Sequence, residues 1–351
     1  MTRRARAPGE KAPLRRGLAF GAVALVGALA LAAATAPGAA PPDEIEWGAT
    51  FSQKMCASLG IDWRETYLAV VGDLRPSVLR LVAYWDLVEP APGRYDFADL
   101  DWQVGTAEAA GIPVVIAVGQ KVPRWPEYHF PRWLRIPDER ERRRRLLAYL
   151  AVVVERYRGR PGLRYWQVEN EPFLDFGDGP RADPAFLGRE VELVRGLDPR
   201  HPVLVTDSGE WGSWLAAARA GDVFGTTLYR KVHDPRLGTF SYPLVPGYYA
   251  LRERVTKLAT GKPGQRFICA ELGAEPWGAE PVPRMSSAEQ RELFSPEAFR
   301  RTVAFARGTG LRELYFWGVE WWYFRKLRGD PAYWDEARRV IRSGRRQRAG
   351  P

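Results

Sequence analysis

Short apolar runs rich in β-branched and aromatic residues recur eight times along this chain, with stretches of helical spacing between them. That alternation limits the possible folds more than any other feature. The runs are Glu46–Phe51, Val78–Tyr84, Pro113–Gly119, Arg164–Asn170, Pro202–Thr206, Val223–Tyr229, Arg266–Glu271 and Glu313–Trp317. The helical patterns cover Arg64–Leu74, Trp102–Ala110, Glu139–Tyr157, Pro184–Leu197, Trp214–Ala220, Tyr248–Ala259 and Ser295–Thr309. Gly, Pro, Asp or Asn bounds each apolar run, and most runs are too apolar to leave one face wet. Strands dry on both faces belong to a parallel sheet covered by helices. Eight such units predict a single (β/α)8 TIM barrel of class α/β over residues 45–335. No internal repeat and no second domain is evident. Residues 336–351 read as a basic C-terminal tail with helical character.

The N-terminus carries a different signal. Residues 1–16 hold Arg3, Arg4, Arg6, Lys11, Arg15 and Arg16 against Glu10 alone. An uninterrupted apolar stretch, residues 17–36, follows, and then a Pro/Ala linker over 37–44. A basic start, an apolar segment and small residues make a signal peptide or a signal-anchor. Ala34-Thr35-Ala36 suits cleavage, Pro37 opposes it, and the stretch is long enough to span a bilayer. Either outcome places the rest of the chain outside the cytoplasm, secreted or held at the membrane through residues 17–36. The net charge of +10 is concentrated in this segment, in Arg142–Arg145 and in the tail. No nucleic-acid motif accompanies it, and four arginines opening an amphipathic helix read as a solvated face. Cys56 and Cys269 lie on non-neighbouring elements, and Cys269 reads as a buried core thiol. The three histidines lack metal-ligand spacing. No cofactor or metal is expected, and a monomer is.

In a barrel of this kind, chemistry sits at the C-terminal ends of the strands. The fourth run, Tyr165-Trp-Gln-Val-Glu-Asn-Glu-Pro172, stops on Asn170, Glu171 and a proline. The seventh, Arg266-Phe-Ile-Cys-Ala-Glu271, also ends in a carboxylate. Two carboxylates on separate strand ends supply what cleavage of a glycosidic bond requires, a proton donor and an ionised partner. Glu169 has the parity of Glu171 and reads as a buried, paired structural residue. Glu275 competes with Glu271, but it falls in the loop beyond Gly273. The other strand ends are rich in carboxylates, amides and indoles, among them Trp85, Glu210, Tyr229, Trp317 and Glu320. No Gly-rich phosphate loop appears. Fourteen tryptophans are more than a core of this size calls for, and indole faces suit pyranose rings. These features favour a neutral, polyhydroxylated substrate.

Over about residues 45–325 the chain resembles the clan A retaining glycoside hydrolases, which include families 5, 35, 39 and 42. Asn170-Glu171 is similar to the acid/base motif at the end of strand four in that clan, and Glu271 to its nucleophile at the end of strand seven. Arg80 in Leu-Arg-Leu resembles an arginine that supports the nucleophile. Tyr229 resembles a tyrosine that hydrogen-bonds it, and Trp317 an indole that floors the −1 sugar site. Leu87–Phe97 resembles the segment after strand two in several members. The chain departs from family 5 at strand six, where Thr227-Leu-Tyr229 stands in place of a His-x-Tyr element. The resemblance implies double displacement on β-linked oligo- or polysaccharides, with Glu271 as nucleophile and Glu171 as acid/base. It also implies substrate contacts from Asn170, Arg80, Tyr229, Trp317, Trp85 and Glu320. A transglycosylase tethered to the membrane and a non-catalytic carbohydrate-binding barrel are the alternatives. The second of these predicts loss of one carboxylate, and both are present.

Overall fold

The computed structural model describes residues 44–134, 138–180 and 182–346. All eight apolar runs form strands: β1 (Glu46–Thr50), β2 (Leu79–Val82), β3 (Val114–Val118), β4 (Leu163–Val168), β5 (Val203–Asp207), β6 (Val223–Leu228), β7 (Arg266–Gly273) and β8 (Glu313–Trp317). They close into one parallel barrel in the order β1-β8-β7-β6-β5-β4-β3-β2. The expected helices are present, with Arg64–Leu74 resolved into an α-helix, Trp63–Ala69, and a π-helical turn, Val70–Leu74. The apolar segment 17–36 and its linker up to residue 43 lie outside the described residues.

Alternation along each strand sorts side chains between two cores. Outward residues such as Leu79, Leu81, Trp166, Phe224 and Phe316 pack under the helices. Inward residues Val115, Tyr165, Leu204, Ile268 and Tyr315 fill the lower barrel as a dry layer. Above that layer the interior turns polar, with Thr50, Arg80, Gln167 and Thr206 all fully buried. The polar layer is the base of the site.

Helix Glu139–Tyr157 begins on an Asp138 cap and buries Leu146, Tyr149, Leu150, Val153 and Val154. Its arginine run is laced to acids on the same helix: Arg143 pairs with Glu139, and Arg144 and Arg145 with Glu141. Cys56 and Cys269 are both buried and free.

Several elements are absent from the expectation. Helices Gln53–Leu59 and Ser287–Leu293 are too short for periodicity to register. A hairpin, Lys231–Asp234 with Gly238–Ser241, rises after β6. The boundary drawn at residue 335 falls inside a helix, Ala332–Arg346. That helix is part of the barrel's outer layer, because Tyr333, Trp334, Ala337 and Ile341 are all fully buried in the main core. Trp334 also donates from its indole to Asp73 at 2.7 Å. Trp334→Ala should therefore cost about 3–5 kcal/mol of stability, measured by urea unfolding of the full chain. A loss below about 1 kcal/mol would mark the helix as a dispensable tail.

Candidate active site

Arg80 lies between two outward leucines on β2, so alternation turns it into the barrel. A guanidinium with no access to water must be fully partnered. Its Nε donates to Gln167 Oε1 at 2.6 Å, and its Nη2 to Asn170 Oδ1 at 2.7 Å. Its Nη1 faces Thr50 Oγ1 and the Ala270 carbonyl, both at 3.3 Å, and Glu271 Oε1 at 3.0 Å. Glu271 owes its direction to an irregularity in β7. Register partners step from Thr226↔Cys269 to Thr227↔Glu271, passing over Ala270, so Glu271 joins Thr227 on the inner face. The second oxygen of Glu271 accepts from the Tyr229 hydroxyl at 2.8 Å. Burial and the neighbouring Glu271 push that phenol well above its ordinary pKa, which keeps it a donor. Gly273 makes room for the ring: a Cβ there would lie 2.4 Å from Tyr229 Cδ1. Glu210 fixes Tyr229 from behind. It accepts from the Tyr229 backbone N–H and from the Tyr249 hydroxyl, each at 2.9 Å.

Glu171 reaches the same space from the end of β4. Both Glu169 and Glu171 have left-handed backbone, with φ of 58° and 42°. Strained non-glycine residues of this kind persist only where surroundings hold them. Here the Asn170 N–H donates to the Lys121 carbonyl at 2.7 Å, and the Glu171 N–H to Thr206 Oγ1 at 2.8 Å. Shared parity gives Glu169 and Glu171 one direction, but the left-handed pair separates them. Glu169 takes the backbone N–H groups of Gln120 and Lys121 at 2.9 and 2.8 Å, a structural role as expected. Glu171 points into the barrel mouth, where the Thr227 hydroxyl donates to its Oε1 at 3.2 Å. Burial first, and then the charges of Glu271 and Glu127, push the Glu171 carboxyl well above its usual range.

The structure adds two residues that the sequence reading missed, both in the loop after β3. Glu127 is buried, and its Oε2 accepts from Asn170 Nδ2 at 3.2 Å. Burial and Glu271 raise its carboxyl to about 7. Arg124 lies 4.0 Å over the Trp317 ring and pairs with Glu275 and, at 2.7 Å, with Glu320. Pro123 and Pro126 mark this segment as a structured loop at a strand end, which is the one sequence signal that could have drawn attention to it.

Two expected substrate contacts are corrected. Trp85 is fully buried, stacked on Tyr149 at 5.3 Å, with its indole donating to Glu89 at 2.7 Å. It is a core residue. Glu320 is also fully buried, its oxygens taken by the Ser52 N–H at 2.5 Å and by Arg124. It anchors Arg124 instead of facing a ligand. Asn170, Arg80 and Tyr229 do converge with the two carboxylates, and Trp317 lies under Arg124. Asn170 Oδ1 meets three donors, from Arg80, Gln167 and Thr206, which fixes its amide orientation. Among the described residues, no group of three or more His, Cys, Asp or Glu is placed to hold a metal ion.

No protein-family profile matches the chain. Its fold is shared with solved glycoside hydrolases. The GH5_18 protein from Streptomyces cattleya, determined with GlcNAc, aligns at a TM-score of 0.59 and 15% identity over 88% of this chain and 81% of its own. A β-galactosidase from the psychrophilic Marinomonas ef1 aligns at 0.54 and 14% identity over 78% of this chain. This chain spans 54% of the length of that enzyme. A family 39 glycoside hydrolase from Bacteroides cellulosilyticus aligns at 0.52 and 17% identity, over 79% of this chain and 57% of its own.

Clustering the carboxyl groups links stability to pH. Glu127 and Glu210 are both raised from 4.5 to about 7, so between those values the folded state binds more protons than the unfolded chain. Their contribution to stability should be fully present below about pH 4.5 and be lost as pH rises through 7. Each group contributes at most about 1.4 kcal/mol per pH unit. The melting temperature should drop from pH 5 to 8, with a shallower slope in Glu127→Gln. A melting temperature that rises over this range would contradict the arrangement.

Proposed function

We propose that the chain is a retaining O-glycoside hydrolase acting on β-linked oligo- or polysaccharides by double displacement. The observation that carries this reading is the contrast between two facing carboxyl groups. Glu271 is met by a cation and a hydroxyl donor, Arg80 and Tyr229. Glu171 is buried among negative charges that favour its protonated form. Environments that separate two carboxyl groups in this way divide the roles of nucleophile and acid. The glycoside hydrolase neighbours in fold support the same chemistry.

In the first step Glu271 forms a bond to the anomeric carbon as the glycosidic C–O bond breaks, and Glu171 gives its proton to the departing oxygen. In the second, Glu171 takes a proton from water, whose oxygen displaces Glu271 and releases the sugar. Asn170 gives one amide hydrogen to Glu127, and its second would meet a sugar hydroxyl. We assign Trp317, whose ring lies under Arg124, to the floor of the sugar site. From the N-terminal pattern alone we place the catalytic domain outside the cytoplasm, secreted or anchored through residues 17–36.

Two variants separate the roles. Glu271→Ala should lower turnover by roughly 10⁴-fold or more on every substrate, and azide should restore part of it with inverted product. Glu171→Ala should lose roughly 10²–10⁴-fold on poor leaving groups and lose the alkaline limb of its pH profile. Azide should rescue it with retained configuration. An inactive Glu275→Ala beside a near-normal Glu271→Ala would move the nucleophile to the loop and overturn the assignment.

A further inference from the structure

The two ends of a parallel barrel are built from different loops, and here the two ends differ in charge. The mouth gathers the carboxyl groups of Glu127, Glu171, Glu210 and Glu271. The base is made by the segments that lead into each strand. Six of these segments or strand starts present an exposed arginine: Arg75, Arg158, Arg200, Arg219, Arg266 and Arg312. Acids at the same end are already matched. Arg312 pairs with Glu44, Arg160 with Glu108, Arg158 with Glu155 and Arg195 with Asp222. Bases remain after this matching. Among the described residues, Arg75, Arg219 and Lys262 donate to backbone carbonyls and form no ion pair. The base is therefore a positive face assembled from many loops, and no single charge run makes it.

Two further observations fall on this end. The described chain enters the fold here: Glu44 pairs with Arg312, and the Glu46 N–H donates to the Arg312 carbonyl at 2.8 Å. Only residues 37–43 separate that point from the apolar segment 17–36. Seven residues, fully extended, reach at most about 25 Å. A segment 17–36 that spans a bilayer thus holds the base nearer to the headgroups than the mouth. The second observation is Leu258, on the last turn of helix Pro246–Thr260, whose side chain is 86% exposed. One exposed leucine is ordinary on a protein surface. This one is flanked by the unmatched bases, since Arg219 reaches the carbonyl of the adjacent Ala259 and Lys262 follows in the next loop.

We propose that the base of the barrel is a membrane-facing surface, which rests on anionic phospholipid headgroups and turns the mouth outward. Unmatched Lys and Arg side chains gain attraction close to such a surface, and a protruding leucine adds apolar contact at the headgroup boundary. Like charge keeps the acidic mouth away from the same lipids. Orientation is then set by the fold itself: the end that binds lipid and the end that binds substrate are opposite ends of one barrel. The tether belongs to the reading of residues 17–36, and the charge of the face stands without it.

The test places a fluorophore at each end of the full chain. Cys56 and Cys269 are buried, so a thiol dye reports on an introduced cysteine. Gly264→Cys marks the base, where a Cβ meets nothing within 4 Å, and Leu237→Cys marks the hairpin after β6 at the mouth. Each labelled chain is mixed with vesicles carrying a nitroxide on the lipid headgroup, made of phosphatidylcholine alone or with about 30 mol% phosphatidylglycerol. Quenching of the base label should rise about threefold with phosphatidylglycerol and fall back in about 1 M salt, where screening shortens to about 3 Å. The mouth label should not respond. Combined Arg75→Glu, Arg219→Glu and Arg312→Glu should abolish the rise, and the same three changes to Lys should keep it. A base label that ignores phosphatidylglycerol, a mouth label quenched more than the base, or a rise that survives the Glu changes would overturn the proposal. A base label indifferent to these lipids yet shifted by soluble polyphosphate would assign the face to a soluble polyanion and overturn it too. A chain that does not stay with phosphatidylcholine vesicles contradicts the anchor reading alone, and the response to phosphatidylglycerol still decides the face.

Discussion

The charge of Arg80 is the constraint from which the rest of the site follows. A guanidinium sealed inside a barrel is tolerated only if every donor finds a partner, and removing one side of such a pair is costly. The partners of Arg80 come from three strands or their ends: Thr50 on β1, Gln167 and Asn170 on β4, and Ala270 with Glu271 on β7. Satisfying one buried cation thus fixes the amide of Asn170 and one oxygen of Glu271 together. The apolar layer beneath, from Val115 to Tyr315, keeps water from competing for these bonds.

Above this base the site accumulates negative charge. Glu271, Glu127 and Glu210 all bear on Glu171 with their charge, with Arg80 and Lys121 the cations beside them. The molecule resolves the conflict unequally. Glu271 holds Arg80 and the Tyr229 hydroxyl, and burial raises the carboxyls of Glu127, Glu171 and Glu210. Unequal protonation of neighbouring carboxyl groups is the electrostatic condition for one to donate a proton while another attacks. Glu127 stands apart from that division of roles. Its hydrogen bond from Asn170 couples the loop after β3 to the strand end that carries Glu171.

How much of this was legible in the chain can be judged from particular residues. The eight strands were, because a parallel sheet buried on both faces demands continuous apolar runs, and the Gly, Pro, Asp and Asn between them end those runs sharply. That two strand ends carry Glu171 and Glu271 was too, but the direction of each side chain was not, since an irregularity in β7 turns Glu271 inward and left-handed backbone aims Glu171. Trp85 shows the limit. An indole at a strand end reads as a binding surface, but Tyr149, 64 positions away on an outer helix, covers it. Glu320 failed for the same reason, since its partners Ser52 and Arg124 come from distant loops. Glu169 was readable as a buried, paired residue, but the left-handed backbone that parts it from Glu171 was not, since nothing in Glu-Asn-Glu announces it. Glu127 and Arg124 were invisible because loop conformation depends on packing against other loops, such as Tyr128 on Gly179.

The claim on which the account rests is that Glu271 forms a covalent bond to the sugar. Incubation with a 2-deoxy-2-fluoro-β-glycosyl fluoride of an accepted glycone slows the second step, so the intermediate accumulates and peptic digestion with mass spectrometry locates it. The account predicts a fluoroglycosyl adduct on the peptide containing Glu271, and on Glu271 within it. An adduct on Glu275, Glu127 or Glu171, or turnover with inverted product and no adduct, would contradict it.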